Sequence, residues 1–156
     1  MPNHIEIEVD DLSDGRLIAL LEDHRENMLK HSPVDSVHAL DVNALHHPDM
    51  IFWRATVDGH LGACTGLKRL DDHSAEIKSM KTSVAFVRQG LAKALLDNLI
   101  EYAIATGYRN LYLETGSMDV FIPARCLYAK LGFEECRPFA DYKPDPHSVF
   151  MRLSLI

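Results

Sequence analysis

The sequence predicts a mixed α/β fold in one domain spanning residues 1–156, and three observations carry that expectation. The chain has 156 residues, enough to bury a core without staples. Its apolar residues switch repeatedly between strand alternation and helical spacing. Glycine and proline fall at the switches, where turns and caps need them. The resulting order is β-α-α-β-β-β-α-β-α-β-β, the pattern of a sheet covered by helices.

Each element has its own warrant. His4 to Val9 alternates, with Ile5, Ile7 and Val9 on one face, so it reads as a half-buried strand. Ser13 or Asp14 can cap a helix from Gly15 to Lys30, where Leu17, Leu21, His24 and Met28 recur at helical spacing. Ser32-Pro33 breaks it, and Val34 to Leu45 reads as a weaker helix ended by His46-His47-Pro48. Met50 to Val57 and Leu61 to Leu70 are strands joined by the hairpin turn Asp58-Gly59. Ala75 to Ser83 is a further strand. The next helix enters through Val87-Arg88-Gln89-Gly90-Leu91-Ala92 and stops at Thr106-Gly107, with glycine where a left-handed cap is wanted. Asn110 to Thr115 is a strand. Ile122 to Leu131 is a helix, with Pro123 in its first turn and Gly132 beyond its end. Phe133 to Arg137 and Val149 to Leu155 close as strands around the polar loop Asp141 to Ser148.

Composition narrows the function classes. Apolar content of 47% and charged content of 25% are ordinary for a soluble globular chain. A net charge of −7 argues against a general nucleic-acid binder but leaves room for an anion held locally. No apolar run is long enough to span a membrane, and Met1 to Asp10 lacks the basic start and apolar block of a secretory leader. Three cysteines, Cys64, Cys126 and Cys136, have no metal spacing and fit a reduced, cytoplasmic compartment. His46, His47, His60 and His73 match no ligand pattern, so no metal is expected.

Two stretches carry chemistry. A helix N-terminus presents unsatisfied N–H groups and a partial positive charge, and phosphate is its natural guest. At Val87 to Ala92, Gly90 opens the backbone, Ala92 keeps the surface small, and Arg88 and Lys93 add charge. The same turn could simply start a helix. The second stretch, Ala124 to Phe133, reads "ARCLYAKLGF".

Together they resemble the GNAT superfamily of acetyl-CoA-dependent N-acetyltransferases. Gly90 and Ala92 match the family's phosphate-turn signature, with Val87 at its leading position and an arginine one place later. Leu127, Tyr128, Gly132 and Phe133 match its second signature in full, and Phe121 stands where the family often has asparagine. The strings "SPVDSVHAL", "EIKSMKTS", "LETGSM" and "FADYKPDPHSVFM" are similar to a bacterial subgroup of stand-alone members.

The resemblance implies the family's α/β (α+β) fold, a mixed, mostly antiparallel central sheet with helices on both faces. It also implies an enzyme that uses acetyl-CoA as co-substrate and transfers the acetyl group directly to a primary amine of a small molecule. Protein N-acetylation and a non-catalytic acyl-CoA-binding regulatory domain are the alternatives. The pantetheine arm would pair with backbone at Met80, Lys81 and Thr82, and the pyrophosphate would sit on Arg88, Gln89, Gly90, Leu91, Ala92 and Lys93. Glu76 and Glu114 are candidate bases, because an alkylamine with a pKa of about 10.4 must lose a proton to attack. Tyr128 would protonate the departing thiolate. His31, Ser32 and His38, with Tyr142 and His147, would flank the acceptor, and acidic groups including Asp119 and Asp145 favour a cationic one. No nucleic acid or membrane partner is implied, and a homodimer is left open.

Overall fold

The computed structural model describes residues 4–31 and 45–155. In chain order the elements are β1 (Ile5–Asp10), α1 (Arg16–His31), β2 (Met50–Val57), β3 (His60–Arg69), β4 (Ser74–Thr82), α2 (Leu91–Thr106), β5 (Asn110–Gly116), α3 (Ile122–Lys130), β6 (Glu134–Glu135) and β7 (Ser148–Ser154). Single 3₁₀ turns precede α2, at Val84–Phe86, and α3, at Asp119–Phe121. The expected helix Val34 to Leu45 lies outside the described residues except for Leu45.

Local chemistry accounts for the boundaries. Asp58 and Gly59 take φ of 50° and 85°, the left-handed pair that a two-residue hairpin demands, and β2 folds back on β3. Asp14 Oδ1 accepts the Arg16 N–H at 3.0 Å and so caps α1. Gly107, at φ 98°, closes α2 by donating to the Ala103 and Ile104 carbonyls. The expected strand Phe133 to Arg137 contracts to Glu134–Glu135. Gly132 (φ 103°) turns the chain at one end, and Pro138, which lacks an N–H, stops pairing at the other. Between them Cys136 still donates to the Phe150 carbonyl at 2.8 Å.

The strands form one sheet in the order β1-β2-β3-β4-β5-β7-β6. Only β4 and β5 run parallel. On one face α2 buries Leu91, Leu95, Leu96, Leu99 and Ala103 against Trp53, Leu67, Ile77, Leu111, Leu113 and Met151. On the other, Leu17 and Leu21 of α1 pack with Phe52 and Cys64. Strand alternation then assigns the rest: Ala75 and Ile77 join the α2 core, so Glu76 and Lys78 project from the opposite face.

The parallel pair is incomplete. Pairing runs from Ser74↔Asn110 to Ile77↔Leu113 and stops, although β4 continues to Thr82 and β5 to Gly116. Where it stops, the register of β3 against β4 slips between Cys64 and Gly66, and Ser79 takes φ 60°. This is a β-bulge, which bends its strand and re-aims it. β5 ends under a different constraint. A Cβ on Gly116 would lie 2.1 Å from the Phe121 ring, so that ring rests directly on the β5 backbone. Gly116→Ala should therefore lower stability by about 1–3 kcal/mol, the cost of overpacking. Chemical denaturation checks this, and an unchanged midpoint would show that the ring can move aside.

Candidate active site

The gap between β4 and β5 organises the site. Lys81 and Thr82 pair with Cys64 and Ala63 of β3, while the edge of Lys78 to Thr82 that faces β5 has no ladder there. Met80 packs its side chain on the α2 core from this half-buried stretch. An extended ligand can add to such an edge as a short strand would.

The turn into α2 follows at once. Arg88 (φ 64°) and Gly90 (φ 81°) are both left-handed and exposed. The first bond of the helix runs from the Ala94 N–H to the Gly90 carbonyl, so the N–H groups of Leu91, Ala92 and Lys93 lie outside its ladder. Nothing lies within 4 Å of where a Gly90 Cβ would sit. Leu91 buries its side chain in the core and can offer a ligand only its backbone. The Lys93 ammonium reaches Asp97 at 2.8 Å. Gln89 is exposed beside Gly90.

On the opposite face of the sheet lies an open cavity of about 500 Å³, floored by Lys68, Leu70, Glu76 and Lys78 and walled by residues 140–145. Glu76 is buried. Its Oε2 accepts the Tyr142 hydroxyl at 2.6 Å and the Lys78 ammonium at 3.3 Å, and Lys78 also donates to the Tyr142 oxygen at 3.1 Å. Tyr142 is held in turn by Phe139 and Phe150, with ring centroids 5.0 and 5.4 Å away. Burial pushes the Tyr142 hydroxyl well above its ordinary pKa, and the adjacent Glu76 adds to the rise.

Glu114 is the first residue of β5 past the parting, half-buried on the Glu76 face. Burial raises its pKa to about 7. The Ser148 hydroxyl pulls it down, and the Glu76 charge pushes it further up. Tyr128 is buried between α3 and the core, edge-on to Phe133 at 5.8 Å. Burial, then the Glu114 charge, lifts its hydroxyl to about 12, so it stays protonated through neutral pH.

The structure thus gathers Glu76, Glu114, Tyr128 and Tyr142 around one gap. His147 sits at its edge and lines no part of the cavity: its N–H donates to Asp145 Oδ1, and its carbonyl accepts the Ser117 N–H. Asp119 is exposed in the 3₁₀ turn before α3. His31 ends α1, and Ser32 and His38 lie outside the described residues. Among the described residues no three metal-capable side chains cluster. Sequence reasoning missed Lys78 and Lys68, whose relation to Glu76 exists only through register and alternation. It also missed Arg125, which donates to the Gly116 carbonyl at 2.5 Å and the Met118 carbonyl at 3.2 Å and so pins the end of β5 to α3.

Residues 17–133 match the acetyltransferase (GNAT) family. This chain belongs to that family. An uncharacterized N-acetyltransferase of Bacillus subtilis, YsnE, is 46% identical across 96% of this chain and 99% of its own. An uncharacterized N-acetyltransferase of Escherichia coli, YedL, is 41% identical across 96% and 94%. A solved Bacillus subtilis acetyltransferase in complex with CoA has the same fold, with a TM-score of 0.69 over 98% of this chain and 100% of that one, at 18% identity. The chain is an acetyl-CoA-dependent N-acetyltransferase of the GNAT family, and its mixed, mostly antiparallel sheet is the one that family implies.

The Glu114 pKa has a thermodynamic signature in this acetyltransferase. An ordinary glutamate titrates near 4.5, and here the value is about 7. Between those values the folded protein holds a proton that the unfolded chain releases. Its contribution to stability is therefore complete below about 4.5, falls as pH rises, and is gone above about 7. Glu114→Gln should flatten this decline. Urea midpoints measured across pH 4.5 to 7 test it, and parallel curves for the two proteins would remove the assignment.

Proposed function

We propose that this GNAT acetyltransferase moves the acetyl group of acetyl-CoA directly onto a primary amine of a small molecule, as one domain in the cytoplasm. The observation that carries the reading is the parted β4–β5 pair, with a phosphate-ready turn on one side and a polar cavity on the other. A cavity of about 500 Å³ suits a small acceptor.

Acetyl-CoA supplies an activated thioester. The β5-facing edge of Met80, Lys81 and Thr82 is the natural dock for its pantetheine arm, and a backbone N–H at Met80 would steady the thioester oxygen. Arg88, Gln89, Gly90 and the N–H groups of Leu91, Ala92 and Lys93 would hold the pyrophosphate. Tyr142 shapes the acceptor wall, and His147, His31, Ser32 and His38 keep the acceptor-side role that the family resemblance implies.

Glu114 is the better base of the two candidates. Glu76 already accepts from Tyr142 and Lys78, and the Lys78 ammonium stabilises its charge. Glu114 stands at the parting itself, with a proton affinity near neutrality, where a general base works best. Glu76 then acts through Glu114, its charge helping to raise the pKa. Tyr128 keeps its proton until the thiolate leaves, as a general acid must.

Thiol release from acetyl-CoA across an amine panel tests the transferase reading, and CoA binding without release from any amine would defeat it. Tyr128→Phe keeps the ring and removes the hydroxyl. Its kcat is expected to fall by about 10²–10⁴-fold, the worth of a positioned acid, while the CoA dissociation constant changes less than about threefold. Full kcat in that variant, with chemistry rate-limiting, would leave Tyr128 a packing residue.

A separate measurement addresses the base. The wild-type kcat/KM should rise with pH through about 7 as Glu114 loses its proton, and Glu114→Gln should lack this limb. A limb that persists in Glu114→Gln and disappears in Glu76→Gln would move the base to β4.

A further inference from the structure

Charge on the cavity floor goes further than an unspecified amine. Lys68 of β3 stands directly opposite Glu76 of β4 in the antiparallel register, so both side chains leave the same face. Lys68 is half-buried and lines the cavity beside Leu70. Lys78 and Glu76 compensate one another within the triangle they form with Tyr142. Lys68 has no such partner: among the described residues it makes no ion pair, although it stands on the cavity floor. The loop's two acids do not answer it. Asp145 accepts the His147 N–H through Oδ1, and Asp141 is exposed at the rim. An unpaired ammonium on a cavity floor can receive an anionic group. The Lys78 ammonium makes two hydrogen bonds of the three it can donate and keeps one for the same guest.

We propose that the acceptor carries a carboxylate as well as its amine, and that Lys68, seconded by Lys78, binds that carboxylate. The substrate class is an amino acid or a related small amino-carboxylate. Leu70, Ala140 and Pro144 supply an apolar wall for the rest of the molecule. This rests on the transferase reading above.

The test pairs α-, β- and γ-amino acids with their amides and their decarboxylated amines as acceptors. Wild-type protein is expected to favour the acid in at least one pair by about tenfold or more in kcat/KM, the size of a charge-assisted contact. Lys68→Met should remove that preference by raising KM for the acid, with little change for the amide or in the acetyl-CoA dissociation constant. Lys68→Arg should restore most of it. Equal or greater turnover of amides and plain amines in every pair would overturn the proposal. So would a Lys68→Met variant that treats acid and amide as the wild type does. Calorimetry of N-acetylated acids and amides against the CoA complex keeps the two readings separable. Absence of thiol release from every amine defeats the transferase reading alone, and the calorimetric contrast then decides the carboxylate: tighter acid binding that depends on Lys68 supports it, and equal or absent binding refutes it.

Discussion

Two neighbouring strands that begin as a regular parallel pair and then separate impose the order on this molecule. Four residue pairs hold β4 to β5, and beyond Ile77 and Leu113 the backbone must find other company. On β4 the bulge at Ser79 turns the strand while β3 keeps its far edge paired. On β5 the Phe121 ring rests on Gly116, and Arg125 takes the carbonyls that the turn leaves over. Parting two strands in a buried sheet would strand polar backbone groups. Here the separation is supported from both outer sides, which leaves two facing backbone edges, one on each strand. The turn into α2, the buried tyrosine and the two carboxylates are all arranged around that gap.

Electrostatics at the gap follow from which face each strand residue takes. Glu76 and Glu114 lie on the side of the sheet opposite the apolar α2 core. Two carboxylates so placed cannot both be comfortable as anions. The protein separates their roles by giving one a lysine and a tyrosine and leaving the other half-buried. Tyr128, across the gap, is subject to the same burial and keeps its proton for that reason. Glu114 and Tyr128 thus owe their raised pKa values to environment, although neither is unusual as a residue type.

Much of this was legible in the chain, and the boundary of legibility is physical. The Asp58-Gly59 hairpin, the Gly107 cap and the apolar stripe of α2 are local, and each is read from a handful of adjacent residues. The left-handed turn before α2 and the helix that carries Tyr128 were legible because their motifs are contiguous. The Ser79 bulge was not, since a serine in a left-handed conformation leaves no mark in the sequence. Nor was the hydrogen bond between Tyr142 and Glu76, which joins positions 66 residues apart. Tyr142 was a candidate from its loop and Glu76 from its strand, but their meeting depends on the loop's fold. Lys68 escaped notice for a related reason: on its own it is one surface lysine among many, and only the register of β3 against β4 sets it beside Glu76.

The Tyr142 contact has a consequence for how such a protein can change over evolutionary time. The loop of residues 140–145 forms the cavity wall, yet a single hydroxyl and a small aromatic cluster tether it to the sheet. Positions on either side of the tether can vary in size and charge without disturbing β4 and β5, which carry Glu76 and Glu114. Drift there would reshape the cavity while the sheet beneath it is inherited intact. The tether itself lacks that freedom, because losing Tyr142 would disturb the wall and the Glu76 environment at once. Variation in the cavity is thereby channelled into a few loop positions around one fixed anchor.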